Sequence, residues 1–328
     1  MHIIAFLIRR VIQAVIVMFV ISLIGFSIQD NLGDPLRELV GQSVAEADRD
    51  ILREELGLND SFIVQYGRFL GNAVQGDLGT SYFFKRPALD VIMDKFPATF
   101  ELVLGSVVIF LALSIPGGIY CAINREKWLA KTIMTASIVG ISVPVFLTAI
   151  LLVWLFGVEL QWLPAFGRGD TLELPWGWDT GFLTWDGLAH LILPSIALSS
   201  IMLPLFIRLI RAEMMEAMST DYVRFARAKG LSTPRVRYVH AFRNTLLPVV
   251  TVGGLMIGTL IAYTILTETV FQWPGMGFLF LEAVNRVDTP LIIAYIIVVG
   301  LIFVVVNTIV DFVYTLINPM VKLPGAKS

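Results

Sequence analysis

Six apolar stretches restrict this chain more than any other feature of its sequence: about 8–29, 99–122, 132–157, 188–210, 246–268 and 291–317. Each is long enough to cross a hydrocarbon core of roughly 30 Å as a helix. The expected fold class is therefore an all-α polytopic membrane protein with six transmembrane helices. Composition points the same way. With 56% hydrophobic and 15% charged residues over 328 positions, and a mean hydropathy of +0.79, the chain lies outside the range of soluble domains.

The net charge of −2 says little as a total, but its distribution orients the spans. Segment 30–98 holds seven basic and twelve acidic residues, and segment 158–187 holds Arg168 against five acidic residues. By contrast, "NREKWLAK" (124–131) holds three basic residues to one acidic, and 208–245 holds eight to three. Short basic segments mark the cytoplasmic side, so both termini and the basic loops are expected there. Arg9 and Arg10 precede the first apolar run, which ends in "FSIQDNLGD" without a small-x-small cleavage pattern. It reads as a retained span, not a signal peptide. The single cysteine, Cys121, allows no internal disulfide and reads as a small buried residue.

Segment 30–98 is too long for a plain loop. "AEADRDILREELGL" spaces Ile51, Leu52 and Leu56 as a helix stopping at Gly57, and "SFIVQYGRFLGNAVQGDLG" reads as a second short helix ending near Gly76. A small external helical cap is expected. The loop 159–187 is rich in aromatic and turn residues. Trp162, Trp176, Trp178 and Trp185 suit the outer interface, with contact to a partner or ligand as the sharper alternative.

The stretch "DYVRFARAKGLSTPRVRYVHAFRNTLLPVV" (221–250) departs from its surroundings, with six Arg or Lys and one acidic residue, Asp221. Ser219 and Thr220 are good N-caps, and Asp221 suits a first turn. Tyr222, Phe225, Ala226 and Lys229 share one face, with Arg224, Arg227 and Ala228 elsewhere, and Gly230 is a natural stop before Leu231. Ser232 or Thr233 then caps a second helix, with Pro234 at its first position, that carries Arg235, Arg237, His240 and Arg243 into the fifth span. Caps and a stop suit an exposed docking element better than a plain positive-inside loop. Tethering by spans on both sides excludes nucleic acid as the partner, while anionic membrane lipid can take part of the charge.

"YVRFARAKGLS" followed by "HAFRNTLLPVVT" resembles the cytoplasmic EAA loop of ABC-importer permeases, closest to the dipeptide/oligopeptide/nickel branch. "LGDP" (32–35), "LGL" (56–58), "GDLGTS" (76–81), "LTETVFQWPGMG" (266–277) and "VDFVYTLINP" (310–319) are similar to that branch in the same order, over nearly the whole chain. The resemblance implies a type I importer permease fold with four parts. These are an N-terminal transmembrane helix (1–30), an external cap (31–97), a five-span core (98–318) containing the coupling loop 212–245, and a cytoplasmic tail (319–328). It further implies a second homologous permease, two ABC ATPase subunits that bind ATP and Mg, and an external (periplasmic) solute-binding protein, in a bacterial inner membrane. Peptides are the implied cargo, with nickel or other metal chelates, opines and glutathione as alternatives. Arg224, Phe225 and Ala226 occupy the E-A-A positions and Gly230 the glycine, so Asp221, Tyr222, Arg224, Phe225, Ala226, Arg227, Ala228, Lys229, Gly230 and Leu231 would dock the ATPase. Two of the three letters depart from the general motif, and "RVDTPLI" (286–292) stands where an aromatic–Pro dipeptide is expected.

The residues agree independently on one point. No G-x-x-x-x-G-K-[ST] and no Gly-Lys pair occurs, so no P-loop is available to hold ATP, and an energised transporter must borrow its motor. The chain itself is expected to bind no cofactor or metal and to catalyse nothing. Among the remaining polar residues, Asp311 follows Asn307 by one turn in the sixth span and suits structural hydrogen bonding or a transport role. Glu268, with Trp273 and Pro274, suits an outer gate or an interface contact. Glu101 lies at an outer span end. His190, lacking a second His or carboxylate at ligand spacing, reads as packing. An ion channel built on "TVGGL" (251–255), an intramembrane enzyme and a proton-coupled carrier are the rival classes. Each lacks its required flank, motif or intramembrane charge.

Overall fold

The computed structural model describes residues 2–32, 59–175 and 177–317. The first expected cap helix, "LGDP", "LGL" and the tail 319–328 lie outside them, as does Trp176. Twelve α-helices and one small hairpin make up the described chain: α1 (His2–Leu32), α2 (Phe62–Val74), α3 (Ala88–Ile123), α4 (Trp128–Ser142), α5 (Val145–Leu152), β1 (Leu172–Leu174), β2 (Trp178–Thr180), α6 (Trp185–Ser199), α7 (Leu203–Ser219), α8 (Asp221–Ala228), α9 (Thr233–Arg235), α10 (Phe242–Phe271), α11 (Met276–Asn285) and α12 (Thr289–Ile317). π-helical turns extend α5 (Val153–Glu159) and join α9 to α10 (Val236–Ala241).

Four helical stretches are long and apolar enough to span unbroken: Ile8–Ser27, Ala88–Ile123, Thr233–Phe271 and Thr289–Val313. The third and fourth expected spans are not straight. The helix of Trp128–Ser142 turns by 108° into that of Val145–Glu159, and Trp185–Ser199 turns by 59° into Leu203–Ser219. Pro144 accounts for the first break, since it has no N–H and disfavours helical geometry in Val143, which is extended at ψ 121°. The second falls at Ser200–Met202, where Ser199 and Ser200 hydroxyls donate to the carbonyls of Ile196 and Ala197. The helix of the second span begins at Ala88, inside the segment 31–97 assigned to the external cap, because Asp90, Asp94 and Lys95 lie on a helix that extends beyond the apolar run. At about 1.5 Å per residue the whole of α3 is roughly 54 Å long, more than a bilayer core requires.

The chain forms two compact units. The first takes the described residues of 1–99 and 274–305. There Phe26, Tyr66, Ile293 and Ile297 form a buried cluster, and the Tyr66 and Ser22 hydroxyls are 2.9 Å apart. As expected, α2 ends before Gly76: Gly76 N–H bonds Ala73 O and Asp77 N–H bonds Asn72 O, a Schellman stop with Gly76 at φ +86°. The unexplained "RVDTPLI" acquires a reason here. The Asp288 carboxylate accepts bonds from Ser81 Oγ (2.5 Å) and from the Tyr82 and Phe83 N–H groups (both 3.1 Å). The Arg286 guanidinium lies 3.6 Å from the centre of the Phe83 ring. Thus "GDLGTS" ends in the serine that Asp288 holds. Burial, and then the charge of Asp288, raise the Tyr82 phenol above its ordinary pKa. The short helix α11, which the sequence reading missed, buries Met276, Gly277, Leu279 and Ala283.

The second unit takes the described residues of 100–273 and 306–317. Its helices approach closely at glycines, as membrane helices often do. A Cβ on Gly118 of α3 would lie 2.7 Å from Ile210 Cβ on α7, and one on Gly254 of α10 would collide with Val310 on α12. Gly67 in α2, by contrast, has nothing within 4 Å of that position. Gly118→Val and Gly254→Val should each destabilise the detergent-solubilised protein by about 1–3 kcal/mol, whereas Gly67→Ala should hold or raise the melting temperature. A thermal unfolding series checks this, and equal melting for all three would refute the close packing.

Candidate functional site

The basic stretch folds into a short helix set apart from its neighbours. Thr220 precedes α8 in an extended conformation (ψ 155°) and makes no side-chain capping bond. Instead Ser219 Oγ donates to Glu216 O (2.7 Å) and Thr220 Oγ1 to Ala217 O (2.5 Å), so both hydroxyls finish α7 where the sequence suggested they would start α8. At the far end, Gly230 N–H bonds Arg227 O (2.9 Å) and Leu231 N–H bonds Ala226 O (3.4 Å). These are the two bonds of a Schellman stop, with Gly230 at φ +77°. A Cβ at Gly230 would meet nothing within 4 Å, so the position requires glycine for its backbone angle and not for space.

The faces of α8 differ from the expected assignment at one position. Ala226 turns inward with Val223, a residue the sequence reading passed over, and both are buried. Tyr222 and Phe225 remain 40% and 60% exposed. Asp221, Arg224, Arg227, Ala228, Lys229 and Gly230 are exposed around them, and Leu231 is half-buried. Lys229 Nζ sits 4.5 Å from the centre of the Phe225 ring, leaving a cationic and aromatic surface outward. Beyond the stop, α9 starts at Thr233 with Pro234 in its first turn. The π-turn carries Arg237 and His240, and α10 follows without a gap. Thr233–Phe271 is therefore one 39-residue helical rod.

At the other end of that rod, Gln272 takes a left-handed conformation (φ 49°), and Trp273 N–H bonds Glu268 O (2.8 Å). Glu268 and Trp273, read as gate residues, are fully buried with 0% and 1% exposure, while Pro274 begins the segment assigned to the other unit. Glu101 proves to be the more organised carboxylate. Arg168 donates to Glu101 Oε2 through Nε (3.2 Å) and Nη2 (2.8 Å) and also to Asp179 O, while Gly181 N–H donates to Glu101 Oε1 (2.9 Å). The side chains of Glu101 and Arg168 are 1% and 10% exposed. This pair ties the loop holding the β1–β2 hairpin to α3. Its only sequence signal was a lone basic residue in an acidic loop.

Thr184 caps α6 by accepting from Gly187 N–H (3.0 Å), and Asp186 Oδ2 accepts from Asp170 N–H (2.8 Å). The same Asp186 oxygen lies 3.5 Å from His190 Nδ1, so a carboxylate does stand one turn before this histidine, contrary to the sequence reading. No group of three metal-ligating side chains occurs among the described residues. Trp162 and Trp185 are exposed and Trp178 is half-buried. Asn307 and Asp311 share one face of α12, both half-buried and both engaged with neighbours.

Comparison with known proteins gives the chain's relatives. A family model described as "Binding-protein-dependent transport system inner membrane component" matches residues 114–323, and its N-terminal companion matches residues 3–103. The dipeptide transport system permease protein DppB of Alkalihalophilus pseudofirmus is 37% identical, with 97% of this chain and 99% of that protein covered. The oligopeptide transport system permease protein AppB of Bacillus subtilis is 35% identical over 97% and 99%. The glutathione transport system permease protein GsiC of Escherichia coli is 35% identical over 97% and 98%.

Removing one member of the buried Glu101–Arg168 pair leaves the other uncompensated, which costs about 3–5 kcal/mol. Glu101→Gln and Arg168→Met should therefore each lower the melting temperature sharply. The double variant should recover part of the loss. A double-mutant cycle in detergent measures this, and additive losses would remove the pair as the organiser of the loop.

Proposed function

This chain belongs to the binding-protein-dependent transport system inner membrane component family and is a multi-pass permease subunit, and on that premise we propose that it forms, with a second homologous permease, the path for di- or oligopeptides. In this reading a periplasmic solute-binding protein delivers the cargo, and two ABC ATPase subunits supply the energy by hydrolysing ATP with Mg. The basic loops and both termini face the cytoplasm. The names of the relatives support peptides as the cargo class, with glutathione, itself a small peptide, as the second reading.

The observation that carries the mechanism is α8 on its rod. Its outward Tyr222, Phe225, Arg224 and Lys229 offer an aromatic and cationic surface to an ATPase groove, while Val223 and Ala226 seat it on this chain. Closure of the ATPase dimer displaces α8. The fixed stop at Gly230 passes that displacement to Thr233–Phe271, whose far end carries the Glu268–Trp273 turn. Coupling of this kind requires that the partner contact α8 differently in its two states.

Gly230→Val places a β-branched residue at φ +77° and should abolish uptake while leaving membrane insertion intact. Ligand-stimulated ATPase that survives at the normal rate would sink the lever. Phe225→Ala should weaken co-purification of the ATPase about tenfold or more, as loss of an aromatic anchor does. For orientation, a cysteine introduced at Ser232 in a Cys121→Ser background should resist impermeant label applied to intact cells. Labelling from outside would invert the topology.

A further inference from the structure

Where α3, α4 and α7 meet, in the second unit, a cavity of about 360 Å³ is lined by Cys121, Arg125, Glu126, Lys131 and Arg211, among others. That volume lies within the usual range of small-molecule sites. Three cations face one carboxylate. Glu126 stands 3.9 Å from Arg125 and 3.8 Å from Lys131, beyond hydrogen-bonding distance of both. Arg211 Nε is buried and finds no hydrogen-bond partner, which costs free energy unless an acceptor arrives. The basin holds an excess of positive charge and an unmet donor.

A second depression adjoins it, sharing Met134 and Arg211. This one is apolar, about 590 Å³, and is lined by Leu205, Leu209 and Met215, with Arg208 beside Arg211 one turn away. It extends along α7 on both sides of Arg211, from Leu205 to Met215. A cationic basin that opens into an apolar groove matches one kind of molecule: an anionic headgroup with a hydrocarbon chain. We propose that this is a binding site for an anionic phospholipid, with the phosphodiester in the basin, accepting from Arg211 Nε, and an acyl chain in the groove. Arginine suits the contact because its donors match phosphate oxygens, and basic pockets between membrane helices are known to select such headgroups. A free phosphate explains the basin but not the groove. A soluble acidic partner accounts for the basin but supplies no hydrocarbon chain for the apolar groove. The occupant would brace α7, which leads directly into α8. The inference stands apart from the cargo and coupling readings, since lipid retention is measured without transport.

The test uses the intact transporter complex in nanodiscs of equal parts phosphatidylglycerol and phosphatidylcholine, extracted gently and analysed by native mass spectrometry. The unsubstituted complex should retain phosphatidylglycerol in preference. Lys131→Gln with Arg211→Gln should reduce that retention roughly tenfold or more, the scale of losing two basic residues near headgroups. Lys85→Gln with Arg86→Gln, removing as many charges elsewhere, should leave it unchanged, and Arg211→Lys should keep most of it. Leu209→Trp, which fills the groove with all charges in place, should also expel the lipid. Equal retention in the basin and control variants would overturn the site and leave the groove to be covered by protein. Release of the lipid by millimolar inorganic phosphate, with no effect of Leu209→Trp, would reduce it to a free-anion site and overturn the lipid assignment.

Discussion

Hydrocarbon offers a backbone no hydrogen-bond partner, so every span must close its own bonds or be served at each break. Four stretches meet that condition by remaining continuous. The two that bend show how a break is served. At the first, Pro144 has no N–H to satisfy, and its carbonyl at once accepts from the Leu147 and Thr148 N–H groups, restarting the helix within one turn. At the second, the Ser199 and Ser200 hydroxyls supply donors to Ile196 and Ala197, while Met202 N–H bonds Ser199 O. The bends are sharp because each is confined to two or three residues. They are tolerable because few polar groups are left open.

The same accounting isolates α8. Its start is not held by side-chain caps, because the available hydroxyls finish α7, and its end is fixed by two backbone bonds that depend on the left-handed angle of Gly230. Only Val223 and Ala226 bury substantially against the chain. A helix so lightly seated owes its position to the angle at its stop and to whatever covers its outer face. The rod that follows is the opposite case. Thr233–Phe271 absorbs a π-turn and an internal Pro248 yet remains one continuous helix.

Much of this was legible in the sequence, and the rest divides by physical cause. Apolar runs located the four unbroken candidate spans and the two bent helix pairs, and most of their limits, since length and hydropathy are local properties. The stops at Gly76 and Gly230 were equally readable because glycine alone adopts their angles cheaply. Bend angles were not legible: Pro144 announced a kink, but 108° is set by packing. Nor was the start of α3 at Ala88, where charged residues lie on a helix that extends beyond the apolar run. The site faces were mostly readable from spacing, with Ala226 misassigned because a small residue fits either side. The pairs Glu101–Arg168 and Ser81–Asp288 were invisible, being 67 and 207 residues apart.

Those two long-range contacts share a logic that hydropathy cannot express. A buried carboxylate is costly unless its oxygens are filled, and partner removal costs more than the pair gains. Each carboxylate here is filled by a mixture of one side chain and backbone N–H groups: Arg168 and Gly181 for Glu101, Ser81 with Tyr82 and Phe83 for Asp288. Backbone donors can be presented only by a loop in one particular shape, so each carboxylate dictates the course of the loop that satisfies it. Loops outside the spans lack the apolar pressure that fixes helices, and in this protein Asp288 in the first unit and Glu101 in the second take over that task. The Arg211 basin is the counter-example within the second unit, a buried donor that the chain does not satisfy from its own atoms. Ser114 Oγ, Ser195 Oγ and Arg237 Nε of the same unit are likewise unfilled, and what sets Arg211 apart is its place between a cationic cavity and an apolar groove.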